Sequence, residues 1–330
     1  MKCHPWKSSA LCVFAPRPEE VDRFCGFIRN ELMPDGIDTI VLIVRYDYQF
    51  ESHPECRGLY PLSREDVRKM VETCRECGIH LVPKMNLLGH QSIQGKKEND
   101  GLLLGHPEFD ETPEVEEIFY SRSICPNHPE VFTLVCDLMD ELVDVFEADT
   151  LHIGMDEIFE IGKCPRCRDK STGEILAKWV TKLHDHLAER GVKTWMWGDR
   201  LLNAELVEHT WEGSDNGTET ALSMLPKDIV ITDWHYEDRK SYPSVDVFAD
   251  AGMQIYLCPF HVPENAKKFL DYAAAHDRGN ILGVMETTWT PLKFFMDGLE
   301  GKPLEDDGTW CKDSTPNIVR CYKMLFRNEE

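Results

Sequence analysis

The chain has 330 residues, 42% of them hydrophobic, which is enough for one large barrel or for two domains. Its 36 basic and 59 acidic residues give a formal net charge of −23, which argues against a nucleic-acid or anionic-membrane partner. No apolar run approaches the roughly 20 residues of a membrane span, and the first apolar segment is too short for a secretory signal. The 13 cysteines are scattered and odd in number, as is typical of reduced thiols, so we expect a cytoplasmic protein.

A strand, a helix and a glycine recur in that order along the chain. The first helix is predicted from Pro18 to about Leu32, the second opens at a capping box of Ser63 and Asp66, and the last lies near residues 318–326. The predicted strands are the apolar runs 10–15, 39–44, 80–85, 151–155, 192–197, 229–233, 253–257 and 280–285.

Eight such units without an intervening linker predict an α/β fold, a single (β/α)8 TIM barrel spanning residues 1–330. The alternative is a doubly wound open sheet, but no glycine-rich phosphate loop follows the first strand. The connection from Gln91 to about Asn127 is longer than linkage requires, so we expect it to shape a site.

In such a barrel the carboxyl ends of all strands meet at one mouth, where the chemistry collects. Flat aromatic rings there would match the faces of a sugar, and acids would bind its hydroxyls. Asp156 and Glu157 stand side by side, and adjacent acids in a partly buried site have their pKa values pushed apart. The candidate site residues at or near strand ends are Arg17, Asn86, His90, Asp156, Glu157, Trp197, Asp199, Trp234, Tyr236 and Trp289.

These residues lie in motifs that resemble family 20 glycoside hydrolases, the β-N-acetylhexosaminidases. The resemblance is closest to the small single-barrel branch that includes hexosaminidase D. Met155 replaces the second glycine common in the family motif, and Asn86 stands where many members have aspartate. The matching stretches are LHIGMDE, PKMNLLGHQ, SICPNHPEV, MWGDR and the late Trp289.

The resemblance implies removal of a terminal β-linked GlcNAc or GalNAc from a glycan by a retaining, substrate-assisted mechanism without a cofactor or a catalytic metal. Glu157 would be the general acid and base, Asp156 would hold the acetamido N–H, and the acetamido oxygen of the sugar would attack to form an oxazolinium ion. Tyr236, or less favourably Tyr256, would hold that oxygen. The other candidates would wall the pocket, bind hydroxyls or orient the acids.

Two other functions stay open from the sequence. One is a barrel that binds carbohydrate without turnover, although such a protein would not need a general acid. The other is a two-carboxylate glycosidase in which Glu286 is the nucleophile.

Two cysteine pairs have the spacing of a zinc site. We expect Cys74 and Cys77 to be surface thiols on a helix at the bottom of the barrel. A zinc ion at Cys164 and Cys167, completed by His53 or Cys56, is an alternative, but we favour thiols that bind no metal.

Overall fold

In a computed structural model, eight parallel strands close into one barrel in chain order. The structure describes residues 4–92, 99–305 and 310–329. The predicted (β/α)8 barrel is therefore confirmed, and the open sheet is excluded. The strands are Ser8–Phe14 (β1), Thr39–Ile43 (β2), His80–Lys84 (β3), Thr150–His152 (β4), Lys193–Trp197 (β5), Val230–Trp234 (β6), Gln254–Cys258 (β7) and Ile281–Thr287 (β8).

Helices cover the outside of the barrel. The predicted first helix is confirmed as one continuous helical segment, because a short 3-10 turn at Pro18–Glu20 precedes α1 and a π-helical turn at Ile28–Leu32 extends it. The α-helices are Val21–Phe27 (α1), Arg64–Cys77 (α2), Leu102–Gly105 (α3), Val131–Phe146 (α4), Thr172–Glu189 (α5), Ala204–Val207 (α6), Ser244–Asp250 (α7), Pro263–His276 (α8), Leu292–Leu299 (α9) and Trp310–Tyr322 (α10).

Helix α2 shows how local sequence sets these boundaries. The backbone N–H of Asp66 donates to the Ser63 hydroxyl at 3.2 Å, and the Asp66 carboxylate accepts from the Ser63 N–H at 2.9 Å, which confirms the capping box. The helix ends at Gly78, whose φ of 65° lies in the left-handed region. Cys74 is buried against the core rather than at the surface, which corrects the expectation for this thiol, and Cys77 is half-buried.

Side chains on alternate strand positions fill the inside of the barrel. Trp195 and Trp197 of β5 share this interior with Val82 of β3 and Met285 of β8. The intervening positions pack against the helices. Lys84 occupies the next inward position after Val82, because side chains alternate along a strand with a period of two.

The connection between β3 and α4 helps to form the mouth of the barrel, as predicted from its length. Asp100, Tyr120 and Ser121 of this segment line the cavity described below. Residues 93–98 of the connection lie outside the described residues. In the described part of the chain, no helix is both long and apolar enough to cross a membrane.

Candidate active site

A cavity of about 620 Å³ opens at the carboxyl ends of the strands. Most of the side chains that were predicted at strand ends lie around this cavity. Eight of the ten candidate site residues line the cavity: Asn86, His90, Asp156, Glu157, Trp197, Trp234, Tyr236 and Trp289.

Arg17 lies outside the cavity, on the exposed start of the first helical segment. Its guanidinium carbon stacks 4.2 Å from the centroid of the Tyr60 ring. Arg17 is therefore not among the residues of the cavity wall, where it was expected to bind a sugar hydroxyl or to orient the acids. The end of β1 contributes Phe14 to the cavity wall instead.

The segment after β4 turns sharply into the cavity. The predicted strand over 151–155 ends at His152, because Gly154, Met155 and Glu157 have φ angles of 79°, 80° and 50°. At Gly154 a Cβ atom would lie 2.8 Å from the Met85 carbonyl oxygen, so only glycine fits there. Met155, which replaces a family glycine, holds the same left-handed conformation with a side chain and stores strain beside the acids.

His152 holds this turn rather than taking part in the chemistry. Its Nδ1 accepts the Gly154 N–H at 3.1 Å, so the proton lies on Nε2, which is 2.9 Å from the Thr232 hydroxyl oxygen. Burial lowers the pKa of His152 well below its usual value, which keeps the imidazole neutral.

The two acids meet at one histidine. His90 Nε2 lies 3.3 Å from Asp156 Oδ2 and 3.2 Å from Glu157 Oε2. Burial lowers the pKa of His90 to about 4, so the ring is neutral at pH 7 and can donate one N–H to this pair. Burial raises the pKa of Glu157 to about 8, with further increases from the charges of Asp156 and Asp199. Glu157 is therefore mostly protonated at neutral pH, as a general acid must be.

Asp199 supports the acids from below the cavity surface. It is 2% exposed, and its Oδ2 accepts the Glu157 N–H at 2.8 Å and Arg200 Nε at 2.7 Å. Its Oδ1 accepts the Trp234 indole N–H at 3.2 Å. Of the two roles expected for Asp199, the structure therefore supports orienting the acid and not binding a sugar hydroxyl.

A buried lysine that the sequence analysis overlooked lies on the cavity floor. Lys84 Nζ donates to Asn86 Oδ1 at 2.6 Å, and burial lowers the pKa of this lysine. An aspartate at position 86 would neutralise the lysine directly. With Asn86 in that place, Asp156 is the strongest charged neighbour of Lys84. Lys84 thus links the floor of the cavity to the carboxyl pair. The alternation of positions 82 and 84 along β3 is the sequence signal for Lys84.

Aromatic rings form the walls. Trp197 and Trp289 lie 5.9 Å apart between ring centroids. The rings of Trp234 and Tyr236 are 4.8 Å apart on another side, and Phe260 lies 5.1 Å from Tyr236. Such apolar walls around a few polar groups are typical of a sugar pocket.

The two candidate tyrosines occupy different ends of the barrel. Tyr236 lines the cavity, and its hydroxyl accepts the Trp289 indole N–H at 2.7 Å and lies 3.3 Å from the Thr287 hydroxyl. Tyr256 instead bonds to the Ser8 hydroxyl at 3.0 Å, at the beginning of β1. Only Tyr236 can reach a ligand in the cavity.

Tyr120 is a further cavity residue that sequence reasoning missed. Its hydroxyl interacts with the Glu157 carboxyl group and lowers the pKa of that acid, whereas burial raises the pKa of Tyr120 itself, so the phenol remains protonated. The Trp211 ring lies 4.9 Å from the Tyr120 ring. Both residues sit on irregular segments, where neither periodicity nor a strand end marks them.

Glu286 points away from the cavity. Although it stands on β8, its neighbours are Cys321 and Tyr322 on the outer helix α10. Burial raises its pKa well above the usual value, so it is protonated and a poor nucleophile. The alternative in which Glu286 attacks the sugar is therefore wrong.

The second cysteine pair has neighbours other than those considered from the sequence. Cys125 and Glu111, on the connection between β3 and α4, lie beside Cys164 and Cys167. His53 instead contacts Glu55 and Asp137, and Cys56 is part of the hydrophobic core.

The barrel and its carboxyl pair in an aromatic cavity define a protein of the glycoside hydrolase class. A model of the glycosyl hydrolase family 20 catalytic domain matches residues 43–292. The chain belongs to this family.

Individual relatives match at low identity. The chain is 28% identical over 125 residues to a β-hexosaminidase of Akkermansia muciniphila, which covers 35% of this chain and 23% of that protein. The structure of a Flavobacterium johnsoniae chitobiase aligns with a TM-score of 0.69 at 17% identity, over 98% of this chain and 48% of that one. A Vibrio harveyi exo-β-N-acetylglucosaminidase in complex with N-acetylglucosamine aligns with a TM-score of 0.63 at 15% identity, over 97% of this chain and 57% of that one. The chain thus spans about a quarter of the curated relative and about half of each solved one.

The neighbours of Glu157 should move its pKa in opposite directions. Asp156→Asn removes a negative charge and should lower the pKa of Glu157 from about 8 by roughly one pH unit or more. Tyr120→Phe removes the hydroxyl that lowers the pKa of Glu157 and should therefore raise that pKa. Infrared difference titration of the protonated carboxyl band, with Glu157→Gln as the blank, measures both. Shifts of the same sign in the two variants would contradict this electrostatic account.

Proposed function

We propose that the chain is the catalytic barrel of a β-N-acetylhexosaminidase, which removes terminal β-linked GlcNAc or GalNAc by a retaining, substrate-assisted mechanism. One observation carries the proposal: a protonated Glu157 and its neighbour Asp156 face a cavity walled by tryptophans. Family membership and the N-acetylglucosamine bound to the Vibrio relative support the same sugar class.

The position of the acids favours a nucleophile that the sugar supplies. Asp156 and Glu157 are consecutive and contact the same His90 nitrogen, so both carboxyl groups lie on one wall. A glycosidase with two enzymic carboxylates needs them to flank the scissile bond. Because Glu286 faces α10, it cannot supply the second group.

The reaction then follows from the roles of the side chains. Glu157 donates its proton to the glycosidic oxygen as the acetamido carbonyl oxygen attacks the anomeric carbon and the C–O bond breaks. Asp156 accepts the acetamido N–H and offsets the positive charge that develops on the ring. Tyr236 donates its hydroxyl proton to the acetamido oxygen. Glu157, now ionised, takes a proton from water as the water oxygen bonds to the anomeric carbon. The bond from this carbon to the acetamido oxygen breaks, which restores the amide and gives net retention.

The tuned pKa of Glu157 suits both halves of this cycle. A group that titrates near pH 8 is protonated enough to act as an acid at neutral pH and basic enough to accept a proton from water. The charge of Asp156 raises that pKa, so the residue that orients the amide also keeps the acid protonated. A barrel that only binds carbohydrate would have no use for this coupling.

The proposal extends to the branch of the family, the location of the protein and its sugar preference. The motifs quoted above support the hexosaminidase D-like branch. The cysteines, which are free thiols in the described part of the chain, support a cytoplasmic location. Asn86 is the residue at which the sugar preference of this chain should differ from members that carry aspartate.

The enzyme should require a 2-acetamido sugar. A plain 2-hydroxyl cannot form the cyclic intermediate, so the entropic advantage of a positioned nucleophile is lost. We expect hydrolysis of aryl β-N-acetylglucosaminide or galactosaminide, no comparable hydrolysis of the matching glucoside and galactoside, and strong inhibition by a thiazoline that mimics the oxazoline. Efficient turnover of the non-acetylated glycosides with thiazoline inactive would refute the mechanism. Binding of the thiazoline without turnover of any glycoside would instead support a binding barrel.

Replacing the acid should affect turnover more than binding. Glu157→Gln should lower kcat on a substrate with a poor leaving group by about 10²–10⁴, the usual contribution of general-acid catalysis, with little change in inhibitor affinity. The loss should shrink for leaving groups that need no protonation. Glu189→Gln, an identical change at the exposed end of α5, is the matched control. Equal losses across leaving groups would show that Glu157 is not the acid.

A further inference from the structure

Three thiols and a carboxyl group converge where two long loops of the mouth meet. Glu111 and Cys125 come from the β3–α4 connection, and Cys164 and Cys167 come from the β4–α5 loop. All four side chains are buried, and one ligand atom from each lies within 4.8 Å of the others. None of these groups belongs to the cavity lining.

The sulfur positions match a tetrahedral metal site. Cys125 Sγ lies 3.3 Å from Cys164 Sγ and 3.5 Å from Cys167 Sγ. Zinc–thiolate bonds of about 2.3 Å place tetrahedral sulfurs about 3.8 Å apart, so small adjustments suffice. These separations are far longer than a disulfide bond of about 2.05 Å. The chain between Cys164 and Cys167 folds as a tight turn, with the Cys167 N–H donating to the Cys164 carbonyl at 2.9 Å.

Glu111 is oriented as a ligand with one oxygen already fixed. Its Oε1 accepts the backbone N–H groups of Lys163 at 2.8 Å and Cys164 at 3.2 Å. Its Oε2 is buried and, among the described residues, has no hydrogen-bond partner other than the thiols of the cluster itself. A buried carboxylate oxygen without a donor is costly, and a cation would satisfy it.

An outer group supports the thiolate form. The Asn127 side-chain amide donates to Cys167 Sγ at 3.2 Å, the kind of contact that steadies a metal-bound sulfur. Soft thiolates with one carboxylate in a closed tetrahedral arrangement suit zinc better than magnesium or calcium, which prefer oxygen ligands.

We propose that Glu111, Cys125, Cys164 and Cys167 bind a structural Zn²⁺ ion that clamps the β3–α4 connection to the β4–α5 loop. Binding releases the three thiol protons to solvent and leaves the metal with four protein ligands and no open position. The ion has no step in the hydrolysis.

The clamp would act on the active site through chain connectivity. Tyr120 stands five residues before Cys125, and Glu157 stands seven residues before Cys164. The hydroxyl of Tyr120 interacts with Glu157 across the two segments that the ion joins, and this interaction lowers the pKa of the acid. Holding the two loops together thus preserves the contact that helps to set the pKa of Glu157.

Metal content tests the site independently of any glycosidase activity. The full chain, purified under reducing conditions, should contain about one zinc per chain by mass spectrometry of the metal. Replacement by Co²⁺ should give thiolate-to-metal charge-transfer bands and the intense visible bands of tetrahedral cobalt. The double variant Cys164→Ser/Cys167→Ser should lose the metal and melt roughly 5 °C or more below the parent. Glu111→Gln should bind zinc more weakly while remaining folded.

The chain provides its own control in the second pair of the same spacing. Cys77→Ser on α2 should keep the zinc, because no other ligand set surrounds that thiol among the described residues. A reduced, folded protein without zinc, zinc retained by the folded double variant, or a Cys125–Cys164 disulfide in place of the metal would each overturn the proposal. If the double variant does not fold, the cobalt spectrum of the parent and the affinity of Glu111→Gln decide the question.

Discussion

The electrostatic coupling of two adjacent carboxyl groups is the interaction on which the rest of the site depends. Burial alone would raise the pKa of Glu157, and the charge of Asp156 raises it further. The fold must therefore hold the two carboxyl groups close to each other. His90 bridges the pair as a neutral donor, and Asp199 fixes the Glu157 backbone from behind. The aromatic walls make the surroundings of the acids apolar, and such surroundings strengthen each of these interactions.

Backbone strain is the cost of presenting both acids to the cavity. A strand would send consecutive side chains to opposite faces, so the chain leaves β4 through three residues with positive φ before Ile158. Gly154 accommodates this without penalty, whereas Met155 and Glu157 do not. The His152 bonds to Gly154 and Thr232 support the turn, and the proposed zinc clamp would hold the loop that follows it.

The regular periodicity of the sequence made the barrel predictable. The positions of the predicted strand ends then identified most of the candidate residues that line the cavity. The prediction failed where contacts depend on loops or on the face of a strand. Arg17 follows β1 but turns to Tyr60, and Glu286 stands one residue out of phase and faces α10. Tyr120 and the partners of Cys164 lie on a connection without periodicity, and only the folded chain brings them together.

The most direct test of the account asks whether the substrate amide is the nucleophile. Aryl glycosides that differ only in the 2-amide, from acetyl through mono-, di- and trifluoroacetyl, present carbonyl oxygens of falling nucleophilicity in nearly the same shape. If the amide attacks, kcat/KM should fall steeply with each added fluorine, while the pH dependence set by Glu157 stays the same. A rate that is independent of fluorination would mean that another group attacks the sugar and would contradict the proposed mechanism.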